Sequence, residues 1–101
     1  MTAAHAYEFT AELWEWTAKA SWYFVTVPDD ISDEIDEITA TSTAGFGSVR
    51  VSVTIGGTTW QTSLFPSTEV EAYVLPIKRP VRTAEGIEPG DTCALRIELV
   101  R

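Results

Sequence analysis

Residues 22–38 read WYFVTVPDDISDEIDEI and indicate a short apolar strand, a proline and an amphipathic helix. The pattern returns at residues 72–86, AYVLPIKRPVRTAEG, where a second apolar strand runs into prolines and a second helix. Glycine and a further strand follow each helix, VRVSV at residues 49–53 and TCALRIEL at residues 92–99. Repetition of one supersecondary unit is the main architectural signal in this chain.

The chain is long enough for one packed core and too short for two. It has 101 residues, of which 45% are hydrophobic and 22% charged, an ordinary balance for a globular domain. We therefore predict a single barrel domain over residues 1–101 with an internal pseudo-twofold. Its two pseudo-repeats lie at about residues 7–56 and 57–101.

Alternation of apolar and polar residues predicts further strands. Together with residues 22–27, the predicted strands are residues 7–13, 49–55, 58–65, 70–75 and 92–99. Gly56-Gly57 supplies the positive φ angles of a hairpin turn, and Pro66-Ser67-Thr68 forms a second turn. Two helical crossovers with hairpins between them indicate a mainly β fold. We predict a small closed or partly closed barrel of six to seven strands with two short helices, which leaves few exposed edges.

The first helix combines one apolar stripe with a strongly acidic remainder. Ile31, Ile35 and Ile38 recur at helical spacing, and Asp29 or Asp30 can cap the helix at its start. Six acids lie between residues 29 and 37, which is typical of a solvated helix face. A divalent-metal site is the alternative, but the spacing lacks the glycine and terminal glutamate of a calcium-binding loop.

Two families resemble this sequence. The segment at residues 75–91 contains LPI, RTA and GIEPGD, and resembles the strand–proline–helix–GIxPGD–strand unit of swapped-hairpin or double-split barrel proteins such as the AbrB, MazE and MraZ groups. This resemblance covers about a quarter of the chain. It implies DNA binding by dimers in which each chain contributes half a barrel. Here both halves lie in one chain, which weakens the carry-over of that binding mode.

The closer resemblance is to a bacterial family known as domain of unknown function 1905. Its pattern contains F-x-A-x-L, W-x-F-V-x-V-P, G-F-G, a glycine hairpin, S-L-x-P, L-P-I/V-x-K and R-x-A-x-G-I-x-P-G-D. The matching residues are 9–13, 22–28, 45–47, 56–57, 63–66, 75–78 and 82–91. This resemblance implies a double-split-like barrel and no assigned activity. A glycine common in that family near residues 67–69 is missing here.

The charge balance bears on partners and location. The chain carries 15 acidic and 7 basic residues, a formal net charge of −8, which repels polyanions and makes nucleic acid an unfavourable partner. No apolar run approaches the roughly 20 residues that cross a bilayer. The start of the chain lacks the pattern of a signal peptide, and one cysteine excludes an internal disulfide framework. We expect a cytoplasmic protein, monomer or homodimer, with no membrane partner.

The residues that usually carry catalysis are scarce. His5 lies near the start of the chain, where a solvated side chain is the simpler interpretation. Cys93 falls on the inward face of a predicted strand and reads as a small buried hydrophobe. One histidine and one cysteine provide no zinc ligand set, and no phosphate-loop or dinucleotide motif occurs. We predict a non-enzymatic protein without cofactor or metal.

The remaining candidate site is basic and aromatic. We predict that it binds a small anionic ligand or an acidic partner segment at the start of the second helix, where free N–H groups would add to the charge. Its candidate residues are Lys78, Arg79, Arg82, Arg50, Trp22 and Phe46. The competing interpretation is that these cations pair with the acidic surplus, including the first helix.

Four tryptophans in so small a domain suggest that some aromatic surface is exposed. Trp22 and Tyr23 must point to opposite faces of a strand, and we expect Trp14 and Trp16 to diverge as well. Some of these rings should therefore reach a barrel mouth or an exposed patch. Two other functions stay open beside the binding module: a nucleic-acid-binding regulator of AbrB-like type, and an oligomeric structural or interaction domain.

Overall fold

The computed structural model describes residues 5–16, 22–39, 48–68 and 70–100. These residues form seven β-strands and two α-helices. The elements are β1 (Ala6–Glu12), β2 (Trp14–Trp16), β3 (Trp22–Thr26), α1 (Asp29–Thr39), β4 (Val49–Ile55), β5 (Thr58–Ser67), β6 (Ala72–Pro76), α2 (Arg79–Glu85) and β7 (Thr92–Leu99). Neither helix in this part of the chain has the length and apolar character to cross a membrane.

The described strands form one antiparallel sheet in the order β1-β7-β4-β5-β6-β3-β2. Its two outermost strands, β1 and β2, are separated in the chain by Leu13 alone. Leu13 is fully buried; its N–H donates to the Asp91 carbonyl, and its own carbonyl accepts from the Gly90 N–H. A sheet whose opposite edges are joined by one residue must curl. The predicted mainly β, partly closed barrel is confirmed.

The core fills the inside of this curled sheet. On β7 the side chains of Cys93, Leu95, Ile97 and Leu99 alternate inward, as predicted. The neighbouring strand β4 contributes valines and isoleucine in the same alternation. Burying each such side chain contributes about 1.5–3 kcal/mol. Packing of these branched side chains is therefore the main source of stability.

The two strand–helix units bind each other through matching backbone hydrogen bonds. β3 and β6 are antiparallel neighbours, and each is followed by a helix after a short connection. The Val27 N–H donates to the Tyr73 carbonyl, and the Ile77 N–H donates to the Tyr23 carbonyl, each at 2.9 Å. Both helices therefore start from equivalent places beside the β3–β6 ladder.

Helix α1 packs through the predicted isoleucine stripe. Ile35 is fully buried, while Ile31 and Ile38 are partly buried against the core. The Asp30 carboxylate accepts from the Ile31 N–H at 2.9 Å, near the start of the helix. Ser32 is also buried, although the sequence pattern gave it no role. These contacts leave the remaining acids of α1 on its outer faces.

Helix α2 begins and ends as its proline and glycine predict. Pro80 occupies the first turn, and Gly86 ends the helix in the left-handed conformation with φ 65°. Near its C-terminus, Glu85 accepts a short hydrogen bond from the Thr58 hydroxyl. This bond ties α2 to the β4–β5 hairpin, whose turn contains Gly56 with φ 56°.

Two predicted boundaries are wrong. β5 continues through Pro66 to Ser67, where a turn was expected. Proline is tolerated there because pairing with β4 has already ended at Leu64, so its missing N–H is not needed on that side. β6 starts at Ala72 rather than residue 70. Glu71 takes φ 54° in the connection, which is the conformation that glycine adopts most easily.

Candidate functional site

Four of the six predicted site residues surround one shallow recess at the end of β3 and the start of α2. Its volume is about 300 Å³. The lining residues are Trp22, Tyr23, Ile77, Lys78, Arg79 and Arg82. Three cationic side chains and two aromatic rings therefore share one site, and none of its described lining residues is a carboxylate. We call it the cationic recess.

The β3–β6 ladder explains why these residues meet. Phe24 pairs with Pro76, and the Ile77 N–H donates to the Tyr23 carbonyl. Continuing this antiparallel register by one residue places Lys78 across from Trp22. Helix α2 starts at the next residue, Arg79. Arg79 and Arg82 are three residues apart and therefore lie on the same face of the helix, from which both reach the recess.

Arg82 is held in place within the recess. Its guanidinium carbon lies 3.9 Å from the centre of the Tyr23 ring, a cation–π contact. Its Nη1 atom donates to the Ile77 carbonyl at 3.0 Å. A guanidinium has five N–H donors, so the bond to the Ile77 carbonyl leaves donor capacity for a ligand.

The cations of the recess have no carboxylate partner among the described residues. The salt bridges in that part of the chain belong to Arg96, which contacts Glu8 at 3.4 Å and Glu98 at 3.6 Å. Glu88 lines an adjoining recess of about 290 Å³ beside Arg79 and Arg82, without a salt bridge to either. The competing interpretation, pairing with acids of the first helix, finds no such contact in the described residues.

Backbone amides contribute less than the sequence suggested. Pro80 has no N–H, and the N–H groups of Val81 and Arg82 both donate to the Lys78 carbonyl at 3.1 Å. The expectation that free amides at the helix start would reinforce an anion site is therefore wrong for these positions. At these three positions any attraction for an anion comes from the side chains.

The other two predicted site residues lie elsewhere. Arg50 is exposed on β4, paired in register with Ser63 of β5, and does not line the recess. Phe46 lies outside the described residues.

An apolar groove of about 530 Å³ lies beside the recess, on the sheet face opposite the core. It is lined by Trp16, Trp22, Phe24, Phe65, Pro66, Ser67, Thr68 and Val74. Trp22 belongs to both sites and is 48% exposed; Phe65 is 45% exposed. We call this second site the aromatic groove. The expectation of exposed aromatic surface is confirmed.

Sequence reasoning missed the extent of this groove. Trp14 and Trp16 do not diverge, since residues two apart on a strand share a face, and both rings pack on Phe24 at 5.3 and 5.7 Å. Trp22 stacks on the same ring at 5.9 Å. Phe65 could have been found from the pattern, because it is an apolar residue next to the inward-facing Leu64.

The residues with catalytic chemistry stand apart from both sites. His5 is exposed and directly precedes β1, and Cys93 is buried in the core. Burial, reinforced by the Asp91 charge, raises the pKa of the Cys93 thiol above its usual value, which disfavours the nucleophilic thiolate. Within the described residues, no three His, Cys, Asp or Glu side chains are grouped so as to hold a metal ion.

The fold and the site together define a class: a small, partly closed antiparallel barrel with two helices and a cationic recess at one strand end. Comparison with protein families gives a match over residues 9–97 to the domain of unknown function DUF1905. The chain belongs to this family, as its motifs predicted. A comparison with curated proteins found no match.

Proposed function

We propose that this domain is a non-catalytic binding module, and that the cationic recess is its site. Its ligand is a small anion or an acidic segment of a partner, with carboxylate or phosphate groups that meet Lys78, Arg79 and Arg82. One observation carries the proposal. Three cations converge on one recess that has no carboxylate among its described lining residues, in a chain whose net charge is −8.

The three cations of the recess lie close together at an energetic cost. Like charges gathered on one side of a small domain repel each other, and an opposite charge nearby relieves that repulsion. Elsewhere in the chain Arg96 has Glu8 and Glu98 as neighbours. In the recess that role is open to a ligand. A guanidinium held by an aromatic ring and a carbonyl loses little side-chain entropy on binding an anion.

The experiment is an amide NMR titration with inorganic phosphate, malonate and an acidic peptide, at low and at moderate salt. We expect shifts that cluster around the recess. Arg79→Glu should weaken binding at least tenfold, because it replaces an attraction by a repulsion. Arg50→Glu is the matched control: it makes the same charge change on an exposed arginine outside the recess, and should change affinity less than twofold.

The other outcomes separate the remaining functions. Equal losses in Arg79→Glu and Arg50→Glu would mean that net charge, not this recess, attracts the anion, and would overturn the proposal. Saturable, salt-sensitive binding of a DNA duplex with no response to small anions would favour a nucleic-acid regulator. Absence of any shift, with a dimer in sedimentation, would favour an interaction domain.

A further inference from the structure

We infer that the ligand of this domain is a small aromatic anion, with its anionic group in the cationic recess and its ring in the aromatic groove. This inference rests on the proposed function and adds the chemistry of the rest of the ligand. It depends on Trp22, which lines both the recess and the groove. The two sites therefore meet at one side chain.

The position of Trp22 at the start of β3 explains this continuity. Trp22 and Phe24 lie on the groove face of the strand, while Tyr23 points to the opposite face and carries the Arg82 guanidinium. Lys78 lies where the β3–β6 register, continued past its last pair of Phe24 and Pro76, comes opposite Trp22. A ligand that crosses the end of β3 would thus pass from aromatic rings to cations without leaving the surface.

The groove has the composition of a ligand site. Its volume of about 530 Å³ falls within the range of about 300–1,000 Å³ found for small-molecule sites. Trp22 and Phe65 leave nearly half of their surface exposed on this face. A flat aromatic ring can stack on either side chain, as Trp22 already stacks on Phe24.

Charge complementarity selects this occupant over a second copy of the chain. Each copy carries a net charge of −8, so two copies repel each other at long range. The cations line the recess that shares Trp22 with the groove, where they would meet a single anionic group of a ligand. An aromatic ring joined to one phosphate or carboxylate satisfies both ends at once.

The test uses three probes that separate the two parts of the ligand: 1-naphthyl phosphate, inorganic phosphate and 1-naphthol. Binding is measured by amide NMR titration at moderate salt. We expect naphthyl phosphate to bind about tenfold more tightly than either of the other two, because it contacts both sites. Its shifts should cover the recess and the groove together.

Two variants change the aromatic groove and the cationic recess separately. Phe65 lines only the groove among the two sites, and Arg79 only the recess. Phe65→Ala should weaken naphthyl phosphate about fivefold or more and leave inorganic phosphate unchanged. Arg79→Glu should weaken both phosphates. Val70→Ala is the control for an exposed apolar side chain, because Val70 is 37% exposed and lines neither site.

Each other result overturns the inference in a different way. If inorganic phosphate binds as tightly as naphthyl phosphate and only Arg79→Glu weakens them, the proposed function stands without the aromatic ligand. If only Phe65→Ala weakens naphthyl phosphate, the groove binds rings and the proposed anion site fails. If an acidic peptide with one central tryptophan binds more tightly than naphthyl phosphate, the site takes a partner segment. No binding of any probe would overturn both.

Discussion

Helices α1 and α2 start from equivalent places, yet their fourth residues differ. In α1 this residue is Ser32, whose hydroxyl donates to the Val27 carbonyl at 3.1 Å. In α2 it is Arg82, whose guanidinium donates to the Ile77 carbonyl at 3.0 Å. In both units the bond reaches back five residues, to the first residue after the strand.

Ser32 and Arg82 donate to equivalent backbone carbonyls, but their other contacts differ. Ser32 is buried, and its oxygen also accepts the Tyr73 N–H, so both of these bonds join parts of the protein interior. Arg82 is partly exposed, and its remaining donors lie at the cationic recess. The same backbone arrangement therefore holds a buried structural contact in one unit and, in the other, an arginine of the recess that we propose as the binding site.

The largest expected effect concerns how each helix is anchored. Ile35→Ala in α1 should cost about 2–5 kcal/mol of unfolding free energy, because Ile35 is fully buried in the core. Val81→Ala in α2 is the matched change and should cost less, since Val81 is smaller and 7% exposed. Urea denaturation measures both. Equal costs would show that α2 is anchored as firmly as α1.

The next largest effect concerns the buried hydrogen bonds of Ser32. Ser32→Ala should cost about 1–3 kcal/mol, because it leaves the buried Tyr73 N–H without an acceptor. Urea denaturation again measures the loss, and Ser48→Ala at an exposed position is the control. A loss no greater than that of the control would mean that water or another group satisfies the amide, and would remove the contrast between Ser32 and Arg82.

A third prediction concerns the contact of α2 with the β4–β5 hairpin. Gly56→Ala should cost about 1–2 kcal/mol, since Gly56 has φ 56°. Its added Cβ would also meet the Glu85 carboxylate that binds Thr58. Gly57→Ala has open space around it and is the matched control.

The Gly56 cost has two separable parts. Thermal unfolding of Gly56→Ala in the Glu85→Ala background removes the steric part and leaves the backbone strain. A cost that is unchanged in that background would show that Glu85 simply moves aside. A cost that disappears would show that backbone strain contributes nothing at this turn.

The smallest effect concerns the contact of α1 with β1. The Tyr7 hydroxyl donates to Glu34 at 3.0 Å, and desolvation together with Glu34 raises the pKa of Tyr7 from 10.0 to about 12. The folded state thus holds this proton more tightly than the unfolded state. The resulting stability is complete below pH 10 and is lost as the pH rises through about 12.

Tyr7→Phe tests this link. The variant should show a shallower loss of stability between pH 10 and 12 than the parent protein, as followed by urea denaturation at each pH. Tyr23→Phe is the control, a tyrosine whose ring faces the Arg82 guanidinium. Identical pH profiles in the parent and in Tyr7→Phe would mean that Tyr7 has the same pKa in the folded and unfolded states, against the combined effect of desolvation and Glu34.

Much of the fold could be predicted because its signals are local. Alternation located β7 and β4, proline and glycine marked both ends of α2, and the isoleucine spacing located the buried face of α1. The boundaries of β5 and β6 could not be predicted in this way. Whether Pro66 can stay in a strand depends on where the pairing with β4 ends, which is a property of two strands together.

The sequence by itself determined the class of fold, the family and the cluster of cations, because each depends on residues close together in the chain. Only the tertiary structure decided which aromatic rings join that cluster. Trp22 and Lys78 meet through the β3–β6 register, and Phe65 joins Trp22 through the β5–β6 pairing. Strand pairing links residues far apart in the chain, and a shift of one position would turn each side chain to the opposite face.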